Sequence, residues 1–289
     1  MVTYFVDSDC DFNLQDCKEL GAKLISMPYS IDGKTTYPYV DFEEFDSHAF
    51  YDGLRSGILP TTSAISEAEY RAYFEPEFAA GNDIFYFHFS AAMTMTFGNM
   101  RKVVSELLLK YPARQFFEID SKGITIISYL MGLDFFKLVR EGKSPRELVE
   151  WGKNEANHYA QYFFADDLKF FRRSGRVSGL AATMGGLIGL RPIINMNEEG
   201  KMVSVGTEKG RVKAINRLIQ EVLEKGDDVK THGIIIGHTD SPELAKQVEA
   251  LLYEKLGYDL NVRIVPTNPT AGSHCGPNGV GVAFHSKCR

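Results

Sequence analysis

His274 is the residue of this chain whose setting points most clearly to chemistry. It lies in residues 266–281, a stretch rich in Gly, Pro and Asn, which is typical of a loop whose side chains face solvent or a ligand. Three consecutive hydroxyl residues, Thr61, Thr62 and Ser63, stand far upstream. Hydroxyl groups together with one histidine suit the binding of an anion such as a carboxylate better than they suit the cleavage of a bond.

Both segments also have a plain structural interpretation. Ser66, followed by Glu67 and Glu69, predicts the start of a helix, but this does not explain the hydroxyls at residues 61–63. A free helix amino terminus with hydroxyls attracts anions. His274 could be a surface histidine, yet the glycines around it let the backbone approach a ligand closely. Beside a carboxylate, a histidine with an ordinary pKa of ~6.5 gains proton affinity and becomes a charge-assisted donor.

Length and charge narrow the functional classes. The chain has 289 residues, which exceeds a typical single core and suffices for two lobes. Its net charge is −6, whereas nucleic-acid binding needs a basic surface, so nucleic acid is not an expected partner. No apolar run approaches the ~20 residues of a membrane helix, and residues 1–7 lack the basic start of a signal peptide. The sequence therefore predicts a cytoplasmic protein without a membrane span.

Nucleotide, metal and disulfide sites are not indicated. The chain has no G-x-x-x-x-G-K-[ST] motif and no G-x-G-x-x-G motif after its first predicted strand, so we expect no nucleotide cofactor. The four cysteines form no C-x-x-C pair, and a disulfide framework is not expected without secretion. His232, His238, His274 and His285 are not spaced like zinc ligands, so we expect no metal.

A hydrolase is the alternative that stays open. The chain has no G-x-S-x-G elbow. Ser63, Asp120 and His274 could be combined into a triad, although a chain of this length offers such a trio by chance. The second hypothesis is therefore a serine-type hydrolase or another enzyme that acts on a small acyl substrate.

The first half of the chain predicts a parallel sheet. Apolar runs at residues 2–6, 84–89 and 116–119 each end in small polar residues, the first of them in Asp7-Ser8-Asp9, and helical patterns such as residues 100–111 lie between them. Strands that alternate with helices form parallel sheets, and ligands bind beyond the carboxyl ends of such strands. The polar ends are therefore expected to face a site.

A long helix should separate two lobes. Ser144-Pro145-Arg146-Glu147 contains a cap residue, a proline at the first helical position and a glutamate three residues after the cap. We expect the helix to run past Trp151 towards residue 163, with a lobe boundary near its end. The amino-terminal lobe, residues 1–160, would carry the hydroxyl-rich loops, and the carboxyl-terminal lobe, residues 161–289, the histidine-bearing loop.

The second half shows a different pattern. Residues 168–171 predict a short strand or turn, and residues 193–196 and 202–205 predict a hairpin. An apolar segment poor in bulky side chains, residues 179–190, is either a tightly packed helix or a wall that leaves room for a slim apolar ligand.

Three arginines precede this segment. Arg172, Arg173 and Arg176 form either a solvated turn or a patch that docks a partner, and residue chemistry does not separate these alternatives.

Short motifs along nearly the whole chain match those of a known family. They are Asp7-Ser8, Thr62-Ser63-Ala64-Ile65-Ser66 for T-S-Q-P-S, Asp120-Ser121, Gly175-Arg176-Val177-Ser178 for G-R-I-S, Arg191-Pro192 for K-P, Lys209-Gly210-Arg211 with Lys213-Ala214 for R-G-R-x-K-A, and His274-Cys275-Gly276-Pro277 for H-x-G-P. Each is weak alone, but their order is specific. The chain resembles the DegV family of bacterial fatty-acid-binding proteins. This resemblance implies an α/β fold with an amino-terminal parallel-sheet lobe, a carboxyl-terminal lobe with a mixed sheet, and a ligand tunnel between them.

The resemblance also implies how a ligand is held. It indicates a long-chain fatty acid whose carboxylate meets Thr62, Ser63 and His274, with Ser90 and Thr94 behind them. The family commonly has S-S-x-L-S-G-T-Y where this chain has residues 90–97, and Ala91 replaces the second serine, which is often thought to meet the ligand. We expect the Ala91 N–H, Ser90 or Thr94 to take its place.

Several members of the family are lipid-carrying subunits of a fatty acid kinase. They present the carboxylate to a separate ATP-binding subunit, which makes acyl-phosphate for phospholipid synthesis. We therefore expect a lipid-binding subunit rather than a catalyst, with a kinase subunit as a candidate partner and the arginines of residues 172–176 as the candidate docking surface.

Overall fold

The computed structural model describes residues 1–178 and 189–289. The apolar segment 179–190 lies outside the described residues except for Gly189 and Leu190. The strands are β1 Val2–Asp7, β2 Ala22–Ile25, β3 Tyr29–Ile31, β4 Lys34–Thr36, β5 Thr61–Thr62, β6 Asp83–His88, β7 Phe116–Asp120, β8 Tyr159–Phe164, β9 Val177–Ser178, β10 Leu190–Met196, β11 Met202–Lys209, β12 Ile234–His238, β13 Val262–Pro266 and β14 Val280–His285.

Helices connect most of these strands. The α-helices are α1 Leu14–Leu20, α2 Ser47–Arg55, α3 Glu67–Ala79, α4 Thr96–Lys110, α5 Ile126–Arg140, α6 Pro145–Glu155, α7 Lys169–Ser174, α8 Arg211–Lys225, α9 Val229–His232, α10 Pro242–Leu256 and α11 Pro269–Cys275. Short 3-10 turns cover Ser8–Cys10, Ala91–Met93 and Ala156–His158.

The first half forms a four-stranded sheet in the order β2-β1-β6-β7, and its strand pairs are parallel. The predicted parallel sheet is confirmed. In β6 every residue after Asp83 is buried, as expected for a parallel strand covered by helices on both faces. Because the strands are parallel, Asp7, His88 and Asp120 reach the same edge of the sheet.

The second half forms a seven-stranded mixed sheet in the order β13-β12-β14-β8-β10-β11-β9. The β12–β13 and β11–β9 pairs are parallel, and the other pairs are antiparallel. The predicted mixed sheet and the predicted hairpin, formed by β10 and β11, are confirmed. All six residues of β8 are buried at the centre of the sheet.

A small third sheet, in the order β4-β3-β5, holds the hydroxyl segment. Thr62 pairs with Tyr29, and Thr61 pairs with Ser30. The backbone of Thr62 is therefore fixed by a strand pair, rather than lying in a free loop.

Two predicted elements between the sheets are wrong. Helix α6 begins as expected, because the Ser144 side chain accepts a hydrogen bond from the Glu147 N–H, but it ends at Glu155 and does not continue towards residue 163. The aromatic residues that follow form β8, since paired strands cover them on both sides. The predicted strand or turn at residues 168–171 is helix α7, which ends at Gly175 with a φ of 65°.

The loop predicted around His274 is also wrong, because His274 lies on helix α11. Asn268 caps this helix by accepting from the Ala271 N–H, and Pro269 occupies its first turn. Gly276, with a φ of 71°, ends it. The Gly, Pro and Asn residues that suggested a loop are the start and stop signals of a short helix.

The two large sheets meet around the start of α5. The Ile127 N–H donates to Gln161 Oε1 on β8 at 3.2 Å. Gly237 on β12 lies so close to Ile126 that an added Cβ would stand 2.6 Å from a methyl group of that side chain. The first sheet draws on residues 2–120 and the second on residues 159–285. A domain boundary at residue 160 stays a prediction.

Candidate functional site

A cavity of about 770 Å³ lies between the two sheets, and apolar atoms form most of its wall. Its apolar residues include Met27, Phe89, Ala91, Met93, Ile124, Ile126, Phe163 and Val280. Its polar residues include Asp9, Thr62, Ser63, Thr94, Thr125, Gln161, His238, Thr239 and His274. The wall therefore contains four of the five residues expected to meet a carboxylate.

Thr62 and His274 form a hydrogen-bonded pair in this wall. Thr62 Oγ1 lies 2.9 Å from His274 Nε2, and both side chains are half-buried. The two residues are far apart in the chain and come from β5 and α11, so the fold brings together two of the three residues first expected to meet a carboxylate, Thr62, Ser63 and His274. We call Thr62 and His274 the head-group pair.

Asp11 holds the helix that carries His274. Asp11 is buried, and its Oδ1 accepts from the Asn268 N–H at 2.9 Å and from Asn268 Nδ2 at 2.7 Å. Thr270 Oγ1 donates to the Met27 carbonyl at 2.7 Å. These bonds attach the first turn of α11 to the segments that follow β1 and β2, and thereby set the position of the head-group pair.

The imidazole of His274 is neutral at neutral pH. Burial lowers its pKa to about 4, and the positive charges of Arg176 and Arg173 act in the same direction. The sequence analysis expected the carboxylate of a ligand to raise the proton affinity of His274, whereas the charged neighbours within the protein are cations, which lower it. An anion bound at this point would offset the two arginine charges and would accept a hydrogen bond from the threonine or the imidazole.

The three arginines have different surroundings. Arg173 donates to the carbonyls of Leu59, at 2.8 Å, and Pro60, so it braces the segment that leads to Thr62. Arg176 is exposed and lines the cavity. The Arg172 side chain is exposed, and no hydrogen bond or ion pair joins its guanidinium to another described residue.

Ser63 and Thr94 also line the cavity but differ in burial. Ser63 is exposed, whereas Thr94 is half-buried and its Oγ1 accepts from the Thr96 N–H at 3.2 Å. The hydroxyl hydrogen of Thr94 remains available, because this oxygen acts as the acceptor in that bond.

Ser90 lies outside the wall of the cavity. Its hydroxyl is fully buried and donates to the Gly200 carbonyl at 2.8 Å. The Ala91 N–H, which was expected as a possible substitute, donates to Asp120 Oδ2 at 3.2 Å. Among the three expected substitutes for the family serine, the geometry therefore favours Thr94.

The residues of the open hydrolase hypothesis do not form a relay. Asp120 accepts from the N–H groups of Ala91 and Lys122, at 3.2 and 2.7 Å, and no described hydrogen bond joins it to His274. The imidazole is instead bonded to Thr62. No base is thus aligned on Ser63.

Several polar residues of the wall were not among those that the sequence analysis assigned to the carboxylate. Asp9 and Gln161 are buried, and burial lowers the pKa of His238, whose Nδ1 accepts from the Ser241 N–H at 3.2 Å. Asp9 stood in a polar strand end already expected to face a site. Gln161 could have been found as the lone amide within an apolar, aromatic run.

A surface cluster of potential metal ligands exists among the described residues. His48, Asp52 and Asp240 lie close together, but Arg55 donates to both carboxylates, at 2.6 and 2.5 Å. The arginine makes this cluster an ion-pair network between α2 and the segment after β12.

Among the helices of residues 1–178 and 189–289, none combines the length and the apolar character needed to cross a bilayer.

A profile described as uncharacterised proteins of the DegV family matches residues 2–287. The chain belongs to the DegV family. The resemblance inferred from the motifs is thereby confirmed. A DegV domain-containing protein of Clostridium perfringens is 29% identical over 280 residues, which cover 97% of this chain and 96% of that protein.

Solved structures of DegV proteins share the whole fold. A fatty acid binding DegV family protein from Streptococcus agalactiae has 22% identity and a TM-score of 0.83, and 99% of each chain is covered. A stearic acid-binding protein from Eubacterium ventriosum has 21% identity and a TM-score of 0.83, with the same coverage. At these identities the likeness establishes the fold, which agrees with the predicted α/β architecture.

Proposed function

We propose that this protein binds a long-chain fatty acid, with the acyl chain in the cavity and the carboxylate at the head-group pair. The observation that carries the proposal is a largely apolar cavity of about 770 Å³ whose wall contains the hydrogen-bonded Thr62 and His274. The names of the structural relatives, which describe fatty acid binding by those proteins, support it.

The charges around the head-group pair favour a carboxylate. Arg176 lines the same cavity, and it and Arg173 lie near enough to lower the pKa of His274. A carboxylate would accept hydrogen bonds from Thr62 or His274 and from the free hydroxyl hydrogen of Thr94. Ser63 is the most exposed of these donors, so we assign it the smallest share.

The acyl chain supplies most of the affinity. Burial of some sixteen carbons at ~0.8 kcal/mol per methylene gives a gross gain on the order of 10 kcal/mol. Losses of translational and conformational freedom take back several kcal/mol, which leaves sub-micromolar binding. Hydrogen bonds to the charged head group add about 1.5–3 kcal/mol and fix its orientation.

Mass spectrometry of a solvent extract from the denatured protein tests the proposal. We expect fatty acid in near-stoichiometric amount from protein that has never been delipidated. An extract without acyl chains, together with no calorimetric binding of octadecanoic acid to the delipidated protein, would contradict it.

Variants of the head-group pair locate the carboxylate. Thr62→Val removes the hydroxyl at nearly constant volume, and His274→Gln replaces the imidazole by an amide. We expect each to weaken octadecanoic acid binding about tenfold, or ~1.4 kcal/mol. His48→Gln, at an exposed histidine outside the cavity wall, is the matched control and should bind like the unaltered protein.

A finer proposal concerns presentation to a kinase subunit. Arg172 is exposed on α7, the helix whose carboxyl end leads to Arg176 at the cavity. We propose that Arg172 helps to dock an ATP-binding subunit that phosphorylates the bound carboxylate.

Acyl-phosphate should form when the ATP-binding subunit of the host, ATP and the loaded protein are combined. Arg172→Ala should slow its formation without emptying the cavity, and an unaltered rate would exclude this docking role.

A further inference from the structure

Asp9 places a buried carboxyl group without a partner in the wall of the cavity. It follows β1 in the turn Ser8–Cys10, is 5% exposed, and lines the cavity. No hydrogen bond reaches its side chain from the described residues, and its Oδ1 is buried without any partner. Buried polar atoms are nearly always hydrogen-bonded, so this carboxyl group requires an explanation.

The neighbouring Asp7 shows what a structural role looks like. Asp7 is fully buried, and its carboxylate accepts from the N–H groups of Cys10 and Phe89, each at 3.1 Å, and from the Tyr86 hydroxyl at 3.2 Å. Asp7 therefore joins β1 to β6. Asp9 makes no such bond, although its backbone carbonyl accepts from the Thr125 N–H at 2.7 Å.

Thr125 and Gln161 extend the polar surface beside Asp9. Both are buried and line the cavity. Gln161 Nε2 lies 3.4 Å from Thr125 Oγ1, and Gln161 Oε1 is used by the Ile127 N–H. The second hydrogen on Nε2 is therefore free. We call Asp9, Thr125 and Gln161 the distal patch.

The distal patch extends away from the head-group pair at its Gln161 end. Residues 161, 163, 164 and 165, in β8 and its extension, line the cavity. At ~3.3 Å per residue, Gln161 stands about 13 Å back along the strand from Ala165. Beyond Ala165 the chain enters α7, which carries Arg173 towards the head-group pair. A ligand held at Thr62 and His274 would thus meet the patch with its chain.

The charge state of Asp9 defines what it can bind. Burial, followed by the charges of Asp7 and Asp11, raises the pKa of Asp9 well above its usual value. This shift favours the protonated form, and a protonated carboxyl group both donates and accepts a hydrogen bond. Its complement is a neutral oxygen, because a methylene group offers no hydrogen bond and would leave the acid unpaired.

We propose that the distal patch binds a hydroxyl or keto oxygen carried by the acyl chain, so that the preferred ligands are oxygenated long-chain fatty acids. This inference rests on the proposed fatty acid binding and adds a substrate class to it. Asp9 and the free hydrogen of Gln161 supply the bonds to that oxygen.

Calorimetry with matched ligands tests the inference. Delipidated protein is titrated with octadecanoic acid and with a series of monohydroxylated octadecanoic acids that differ only in the position of the hydroxyl. We expect at least one isomer to bind about tenfold more tightly than octadecanoic acid, which corresponds to ~1.4 kcal/mol. Asp9→Leu should abolish that preference, and Asp9→Asn, which keeps a neutral donor and acceptor, should retain most of it.

The outcomes separate this inference from the proposed function. Equal affinity for all the ligands would overturn the inference while fatty acid binding stands, and a preference that survives in Asp9→Leu would overturn the role of Asp9. Failure of every ligand to bind would overturn both proposals. Gln161→Met, which should reduce the same preference severalfold, replaces Asp9→Leu if thermal unfolding shows that the latter does not fold.

Discussion

The head-group pair and the distal patch are two polar regions of one cavity, and they differ in how their polar atoms are used. At the head-group pair, Thr62 and His274 are bonded to each other and cations stand nearby. At the distal patch, Asp9 has no partner and its charged neighbours are acids. The first region therefore suits an anion and the second a neutral oxygen.

One short segment after β1 supports both regions. Asp11 reaches Asn268 and positions α11, whereas Asp9, two residues earlier, lines the cavity. The hydrogen-bond partners of these buried acids distinguish a structural anchor, Asp11, from the ligand contact proposed for Asp9.

The largest expected effect comes from removing the anchor. Asp11→Ala leaves the Asn268 N–H and side-chain amide without their acceptor and places alanine at a φ of 58°. We expect a loss of about 3 kcal/mol in unfolding free energy, measured by urea denaturation, and weaker binding of fatty acid.

Asp11→Asn is the matched control for this variant. Asparagine keeps an acceptor oxygen and tolerates the left-handed backbone conformation. It should therefore recover most of the loss. Equal stability of the Ala and Asn variants would show that Asp11 does not act through its bonds to Asn268.

The pH dependence of stability should distinguish Asp11 from its asparagine variant. Burial raises the pKa of Asp11 from 3.8 to about 7. The native protein keeps this proton where the unfolded chain has lost it, so the contribution of Asp11 to stability is fully present below pH ~4 and is lost as the pH rises through about 7. The stability of the unaltered protein relative to Asp11→Asn should fall over this range in urea titrations. A constant difference would contradict the raised pKa.

The sequence predicted the two large sheets and the residues of the head-group pair. It did not rank Ser90 and Thr94, and it did not indicate Gln161. Apolar runs with polar ends revealed the parallel sheet. Residue chemistry indicated the hydroxyls of residues 61–63 and His274, and the family resemblance narrowed the hydroxyls to Thr62 and Ser63. Ser90 and Thr94 could not be ranked, because the partner of Ser90 is the carbonyl of Gly200, in the turn between β10 and β11. Gln161 was missed because its neighbours in the chain are those of a buried strand, and only the assembled cavity reveals its role.

The cations near the head-group pair offer a smaller and more specific test. Arg176 lowers the pKa of His274, after burial, so Arg176→Gln should raise that pKa above about 4. NMR titration of the imidazole measures the shift. Arg172→Gln is the matched control, because Arg172 is exposed and is not among the charges that act on His274. A similar shift in both variants would assign the effect to net charge rather than to position.

Ser63→Ala should have the smallest effect. Ser63 lines the cavity but is exposed, so water already satisfies its hydroxyl, and its exchange for a ligand oxygen gains little. We expect octadecanoic acid affinity to change less than about threefold by calorimetry, against the about tenfold loss expected for Thr62→Val. If Ser63→Ala lowered octadecanoic acid affinity as much as Thr62→Val, the carboxylate would have to lie nearer to solvent than the head-group pair. It would then also lie further from the distal patch.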